Sequence, residues 1–335
     1  MIGFYLHHHG SGHRIRGTLI ARRLGVPVVG FGTGEAPQGW PGMWVPLAAD
    51  DADVRPERAD VAAGGALHWA PLHHPGLLER HAAMAAALQR LRPRLVLVDV
   101  SVEAAVLCRL LGIPVAVMLL PGERDDAPHR LAHGIAELLL AARPVEADAP
   151  RGPRPWDSKT IHVGAISRFA GRAPAADRAV DRRRVLVLGG TGGGGPAPRE
   201  IEAAAEATPD WEWLQRGGTG GFVGPERLWS ELSGADAVIV SAGENAVADV
   251  AAARRPAVVI PVPRPFDEQL ATARALARLD LAETPDSWPE PAQWPGLLAA
   301  ALRRGGDGWD RWEGDGVDGA AAALLSVYRR HGGEA

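Results

Sequence analysis

Short, continuous apolar runs alternate with helically periodic segments along most of the chain. The runs at 2–6 (IGFYL), 26–32 (VPVVGFG), 95–100 (LVLVDV) and 114–120 (PVAVMLL) are apolar at successive positions, not at alternate ones. That is the pattern of strands buried on both faces. Between them, 17–25 (GTLIARRLG, closed by Gly25), 75–93 and 103–111 read as helices. A second series starts with a strand at 185–190 (VLVLGG) and a helix at 198–207. It continues through a strand at 211–215, a strand at 237–243 (AVIVSAG), a helix at 244–253, a strand at 257–262 (AVVIPV) and a helix at 267–279. An apolar helix, 319–330, closes it. Such alternation predicts an α/β chain with two doubly wound parallel sheets, each covered by helices. Residues 143–183 interrupt it with Pro, Gly and charge, which is linker composition. The expected layout is an amino-terminal domain at 1–165, a linker at 166–182, a second domain at 183–310 and a carboxyl-terminal segment at 311–335. The helix in that last segment is expected to pack back on the first domain. Ligands belong at the carboxyl ends of the strands, where the two sheets face each other.

The length of 335 residues suits two domains of ordinary size, and 46% hydrophobic residues supply the core. A net charge of −4 gives no electrostatic case for nucleic acid as a partner. The single cysteine, Cys108, excludes a disulfide framework and a cysteine zinc site, and its apolar helical context assigns it to packing. Lys159 is the one lysine among 36 basic residues, a coding bias without functional weight. No run approaches the roughly 18 apolar residues of a membrane span, and no signal peptide is visible, so a cytoplasmic location is expected.

The glycine loop in VLVLGGTGGGGPAPREIEAA lies between a buried strand and a helix, where backbone N–H groups suit a phosphate. A P-loop is excluded, because its lysine is absent. The dinucleotide fingerprint fits formally at Gly190, Gly192 and Gly195, with Glu212 at the distance of a ribose-binding acid. SAGEN stands at the mouth of a strand and the start of a helix, so Ser241, Gly243 and Asn245 can present donors to a diphosphate. Asp267, Glu268 and Gln269 open another helix and match the needs of vicinal sugar hydroxyls.

Residues 183–282 resemble the donor-binding domain of GT-B glycosyltransferases, through GGTGG, GADAVIVSAGENAVADVAAARRPAVVIPVP and FDEQLATARAL. The likeness is to the group containing the UDP-GlcNAc transferase of peptidoglycan synthesis. The resemblance implies a GT-B fold of two Rossmann-like domains facing a central cleft. By position it implies that Gly190, Thr191, Gly192 and Gly193 face the acceptor and phosphate crevice. Ser241, Ala242, Gly243, Glu244 and Asn245 would bind donor diphosphate, and Asp267 to Gln269 would hold the donor sugar. Phe222 and Val223, in GGFVGPERL, would lie near the nucleotide base. This chain departs from the group in reading EN after SAG, and it is shorter.

FYLHHHGSGHRIRG, at 4–17, places four histidines within seven positions. If His7, His8 and His9 extend the strand they point alternately and cannot converge on a metal. No second ligand cluster stands out, and DDAD at 50–53 offers only a D-x-D in a polar loop. No metal and no cofactor are therefore expected. The turn Gly10, Ser11, Gly12 leads into His13, and the related family has a glycine-rich turn ending in a histidine that faces the acceptor. His13 is thus the candidate base and Asp99, ending LVLVD, the residue that orients it. The same turn also resembles the UDP-sugar hydrolase of pseudaminic acid synthesis, where the histidine would activate water.

The expected activity is metal-independent, inverting transfer of a sugar from a UDP- or dTDP-sugar to an acceptor hydroxyl. Hydrolysis of the nucleotide sugar, an NAD(P)-dependent reaction and nucleotide-sugar binding without catalysis stay open as alternatives. The acceptor is open: residues 33–75, with Trp40, Trp44 and Trp69, give only an apolar surface for stacking. Membrane contact would be peripheral and would follow only from a lipid acceptor.

Overall fold

The computed structural model describes every residue except 9, 53, 56–58, 150–151, 174–181, 191–192 and 335. His9, Thr191, Gly192 and the middle of the expected linker therefore lie outside the described residues. Among those described, the first half forms a seven-stranded parallel sheet. Its strands are β1 (Ile2–Leu6), β2 (Val28–Thr33), β3 (Met43–Leu47), β4 (Leu95–Asp99), β5 (Val115–Met118), β6 (Leu138–Ala141) and β7 (Thr160–His162), in the order β3-β2-β1-β4-β5-β6-β7. The second half forms a four-stranded parallel sheet, β11-β10-β8-β9. It comprises β8 (Arg183–Leu188), β9 (Trp211–Arg216), β10 (Ala237–Ser241) and β11 (Ala257–Ile260).

The successive apolar positions explain why these strands are central. Ile2, Phe4 and Leu6 of β1 join one core cluster with Leu95 and Leu97 of β4, while Tyr5, Val96 and Val98 join another on the opposite face. The helices are α1 (Gly12–Arg23), α2 (Pro75–Leu91), α3 (Val102–Leu110), α4 (Ala127–Ile135), α5 (Pro198–Glu206), α6 (Pro225–Ser233), α7 (Glu244–Ala253), α8 (Glu268–Arg278), α9 (Trp294–Arg304) and α10 (Gly316–Arg330). β3, β6, β7, α4, α6 and α9 are elements that hydrophobic patterning does not mark. Each is short or alanine-rich and takes its place from tertiary packing. α1 starts five residues earlier than the periodicity suggests, so His13 stands inside its first turn.

The chain crosses between the halves twice. Residues 163–166 and 312–316 hydrogen-bond to each other, Ala165 N–H to Trp312 O at 3.1 Å and Gly316 N–H to Val163 O at 2.6 Å. Gly164 makes this approach feasible: its φ is +77°, and a Cβ there would stand 1.7 Å from the Glu313 carbonyl. Residues 166–173, read as linker, begin as packed chain, with Phe169 buried in the second domain's core. α10 returns to the first half, where Ala320, Leu324, Val327 and Tyr328 share a core with Ile2 and Ile20.

Candidate active site

The first sheet sets two groups side by side. Leu6 at the end of β1 is in register with Asp99 at the end of β4, so the turn after β1 opens beside that carboxylate. Gly10 takes φ +79° in this turn, and Ser11 stands at the N-cap of α1. His13 Nδ1 lies 3.0 Å from Asp99 Oδ1. An ionised Asp99 can only accept, so Nδ1 carries the proton and Nε2 is the basic nitrogen. One turn along α1, the buried Arg16 donates Nη2 to Asp99 Oδ1 at 2.8 Å and Oδ2 at 3.0 Å. Burial alone would raise the Asp99 pKa, but the charges of Arg16 and His13 and their hydrogen bonds outweigh it. They hold the carboxyl well below its usual range. Val100, the next residue, is held at φ +72°, an unfavourable conformation for a β-branched side chain, directly beside the dyad.

Arg16 also crosses the cleft. Its Nη1 donates to Glu244 Oε2 at 2.8 Å, joining α1 to the first residue of α7. Burial opposes the guanidinium charge, yet Asp99 and Glu244 together raise its pKa. Glu244 is 8% exposed in its side chain, and among the described residues its Oε1 accepts no hydrogen bond; Arg143 Nη1 stands 3.7 Å from it. The two helix starts are in close contact, since a Cβ on Gly12 would fall 2.1 Å from Asn245 Nδ2. Ser241 ends β10, Ala242 is buried, and Gly243 is the N-cap of α7. Thus the SAGEN segment does face His13. Glu244, however, is spent on an ion pair, and the cations that join it, Arg16 and Arg143, were not apparent from patterning. The one local signal was Arg16's place three residues after His13, on the same helix face.

The segment before α8 docks on the first half as well. The Phe266 carbonyl accepts Glu123 N–H at 2.8 Å, and its ring stands edge-on to His129 with 4.7 Å between centroids. Glu268 accepts from Arg124 at 3.0 Å; burial, reinforced by Glu244, raises its pKa against the pull of Arg124. Gln269 is buried, with Oε1 accepting Val262 N–H at 3.0 Å, and Asp267 is exposed at φ +53°. Gly190 is exposed at the end of the first glycine pair, and the Gly193 carbonyl accepts from Arg264 at 2.8 Å. Phe222 is 67% exposed, with Val223 half-buried next to it. Its ring borders Gly217, which packs on Gly189, so the pair lies beside the glycine loop. Glu212 pairs with Arg184 near the amino end of β9, at the opposite end of the sheet from the glycine loop. The ribose-acid reading of Glu212 is therefore overturned, because such a carboxylate belongs at the carboxyl end of its strand.

The histidine run also differs from expectation. β1 stops at Leu6, and the rings of His7 and His8 stack at 4.8 Å instead of alternating, while His7 meets His13 edge-on at 5.9 Å. Among the described residues, folding assembles two groups with metal-ligand atoms in mutual reach, His8–Asp50–Asp51 and His68–Asp126–His129. Neither stood out in the sequence, because each joins segments far apart in the chain. In the second group both His129 nitrogens are engaged, Nδ1 with Asp126 at 2.7 Å and Nε2 with Arg124 at 3.0 Å. In the first, Asp50 is paired with buried Arg80 at 2.6 Å and Asp51 with His8 at 3.2 Å. The guanidinium groups of Arg80 and Arg124, each bonded to a member of one group, disfavour a metal there. The D-x-D reading of 50–53 falls partly on Asp53, outside the described residues. Trp40 packs on Phe4 and on Trp44, whereas Trp69 lines a cavity of about 220 Å³ next to His7. A larger recess of about 490 Å³, lined by Asp280, Arg303 and Arg311 among others, contains none of the residues of the dyad or of the helix starts.

No protein-family model matches the chain. Over 198 residues it is 31% identical to the UDP-N-acetylglucosamine–N-acetylmuramyl-(pentapeptide) pyrophosphoryl-undecaprenol N-acetylglucosamine transferase of Sorangium cellulosum, covering 52% of this chain and 47% of that protein. Over 227 residues it is 32% identical to the Rubrobacter xylanophilus protein of the same description, covering 59% and 64%. The chain thus spans about half to just under two thirds of these relatives. Among solved structures, MurG of Acinetobacter baumannii superposes with a TM-score of 0.66 at 15% identity, over 98% of this chain and 99% of that one. The spinosyn rhamnosyltransferase SpnG gives 0.66 at 17% identity over 97% and 99%, and the calicheamicin glycosyltransferase CalG4 gives 0.66 at 19% over 98% of each. The chain has the GT-B fold of these glycosyltransferases, two parallel Rossmann-like sheets facing each other across a cleft.

Proposed function

We propose that the chain is a glycosyltransferase that moves a sugar from a UDP- or dTDP-sugar to an acceptor hydroxyl, with inversion and without a metal. The observation that carries this reading is the His13–Asp99 pair, set 3.0 Å apart and facing the start of α7 across the cleft. His13 Nε2 takes the acceptor proton while Asp99 stabilises the imidazolium that forms. The acceptor oxygen attacks the anomeric carbon, the bond to the diphosphate oxygen breaks, and the nucleoside diphosphate leaves with the electron pair. The α7 N–H groups and dipole, with Arg16 and Arg143 nearby, would carry the leaving charge that a metal carries elsewhere. Attack opposite the diphosphate inverts the anomeric centre. The curated relatives are described as UDP-N-acetylglucosamine transferases, and SpnG has been solved with thymidine diphosphate, which supports both nucleotides as candidates.

The test is His13→Ala, assayed by product formation and by nucleotide binding. Turnover should fall by about 10²–10⁴-fold, while UDP or dTDP binding stays near wild type. Unchanged turnover would remove His13 from the mechanism, and a product that keeps the donor's anomeric configuration would remove inversion. Product analysis with and without acceptors separates transfer from hydrolysis.

A further inference from the structure

We infer that the cavity beside His7 is the acceptor site, and that it takes one polyhydroxylated ring of single-sugar size, a sugar or a cyclitol. The inference rests on the glycosyltransferase reading above. At about 220 Å³ the cavity is below the ~300 Å³ at which sites for drug-sized ligands begin. A single ring fits inside it, whereas a fused polycycle or a long chain would have to extend beyond its mouth. Its position suits the chemistry: His7 lines it and touches His13 edge-on, and Val100 and Ser101, which follow Asp99, form part of its wall. His13 itself is not part of the lining; the His7 ring, 5.9 Å from that of His13, joins the cavity to the dyad.

The lining decides the class. Leu77 and Val100 are the only aliphatic side chains among the thirteen residues that line it. The others are carboxylates, imidazoles, a guanidinium, a hydroxyl and two large aromatics, the mixture of donors, acceptors and ring faces that a sugar uses. Trp69 is fixed at two points: its backbone N–H donates to Glu103 at 2.9 Å and its indole Nε1 to the Asp50 carbonyl at 2.9 Å. The ring is thus held in place before any ligand arrives, and stacking against it costs little ordering entropy. Glu103 itself is oriented by the His68 N–H at 2.8 Å and the Ser101 hydroxyl at 3.0 Å. His81, on α2 at the same cavity, is kept neutral by burial and by Arg80 and can both donate and accept.

The experiment is saturation-transfer NMR on the full chain with myo-inositol, glucosamine, N-acetylglucosamine and octyl N-acetylglucosaminide. Genistein and undecaprenyl-phosphate vesicles serve as apolar probes, and UDP and dTDP binding is followed separately by calorimetry. At least one polyol should bind, and Leu77→Trp, which fills the cavity, should weaken it at least tenfold without altering nucleotide affinity. Trp69→Leu should do the same. Leu77 is only half-buried at the cavity wall, so its variant tests the site even if Trp69→Leu fails to fold. Binding of the octyl glycoside in preference to the free sugar would mark the ring as a headgroup. Silence of every polyol, binding of the apolar probes alone, or polyol binding indifferent to Leu77→Trp would overturn the assignment. Polyol binding without any UDP or dTDP binding would instead count against the glycosyltransferase reading and leave the cavity assignment standing.

Discussion

Asp99 is buried among apolar strand neighbours, and only Arg16 and His13 keep it ionised there. Asp99→Asn would leave the shape of the site intact but remove the charge that favours the imidazolium and fixes the Nδ1–H tautomer. Turnover should fall by roughly 10²–10⁴-fold, in line with comparable dyads, while nucleotide binding persists. An Asn variant within twofold of wild type would mean that the histidine works without its carboxylate. Asp99 was legible because it ends a continuous apolar run, where a parallel sheet must end and open, and His13 because the Gly-Ser-Gly turn before it resembles the related family's turn ending in a histidine. Arg16 was not, for a physical reason. An arginine on the first turns of a helix ordinarily faces solvent, and its two carboxylates lie 83 and 228 residues away, a pairing only the fold creates.

At the scale of elements, the start of α7 is where fold and sequence pull in different directions. A helix N-terminus attracts anions, and Glu244 supplies one of its own, held by Arg16 and with one oxygen lacking a hydrogen bond. On the proposed reading a diphosphate arriving at this end would meet a carboxylate, and Glu244 would have to swing away or share Arg16. Glu244→Gln keeps the shape and removes the repulsion. UDP or dTDP should bind about tenfold tighter, roughly 1.4 kcal/mol, as measured by titration calorimetry. An unchanged or weaker affinity would show that the diphosphate does not come to this helix. The EN departure was visible in the sequence, but its consequence was not, because the contact joins two helices from opposite domains. The same limit explains why α1 was placed five residues late. The Gly-Ser-Gly turn read as loop, whereas packing of Gly12 on Asn245 draws the first helical turn forward.

In the whole molecule the halves are held by more than the double crossing. Arg278 donates to the carbonyls of Glu146, Ala147 and Asp148, and the Phe266 segment plugs against His68, His129 and Arg124. That seam is sensitive to acid. Burial pushes the pKa values of His129 and His133 down to about 4, helped in both by Arg124 and opposed at His129 by Asp126. An unfolded histidine titrates near 6.5, so between about 6.5 and 4 the unfolded chain binds more protons than the folded one. Stability from these groups is complete above pH 6.5 and drains as pH falls toward 4. Protonating His129 also sets an imidazolium against the Arg124 guanidinium, 3.0 Å from Nε2, with Asp126 on the other nitrogen, His68 and His133 alongside, and Glu268 beyond Arg124. Asp99, whose folded pKa is depressed, adds its own loss only below about pH 4, the ordinary carboxylate range. The melting temperature should therefore fall from pH 7 to pH 4.5 in scanning calorimetry, and His129→Gln should flatten that slope, leaving His133 and the half-buried His81 to account for the rest. A His129→Gln slope equal to wild type across this window would remove His129 from the acid-sensitive groups.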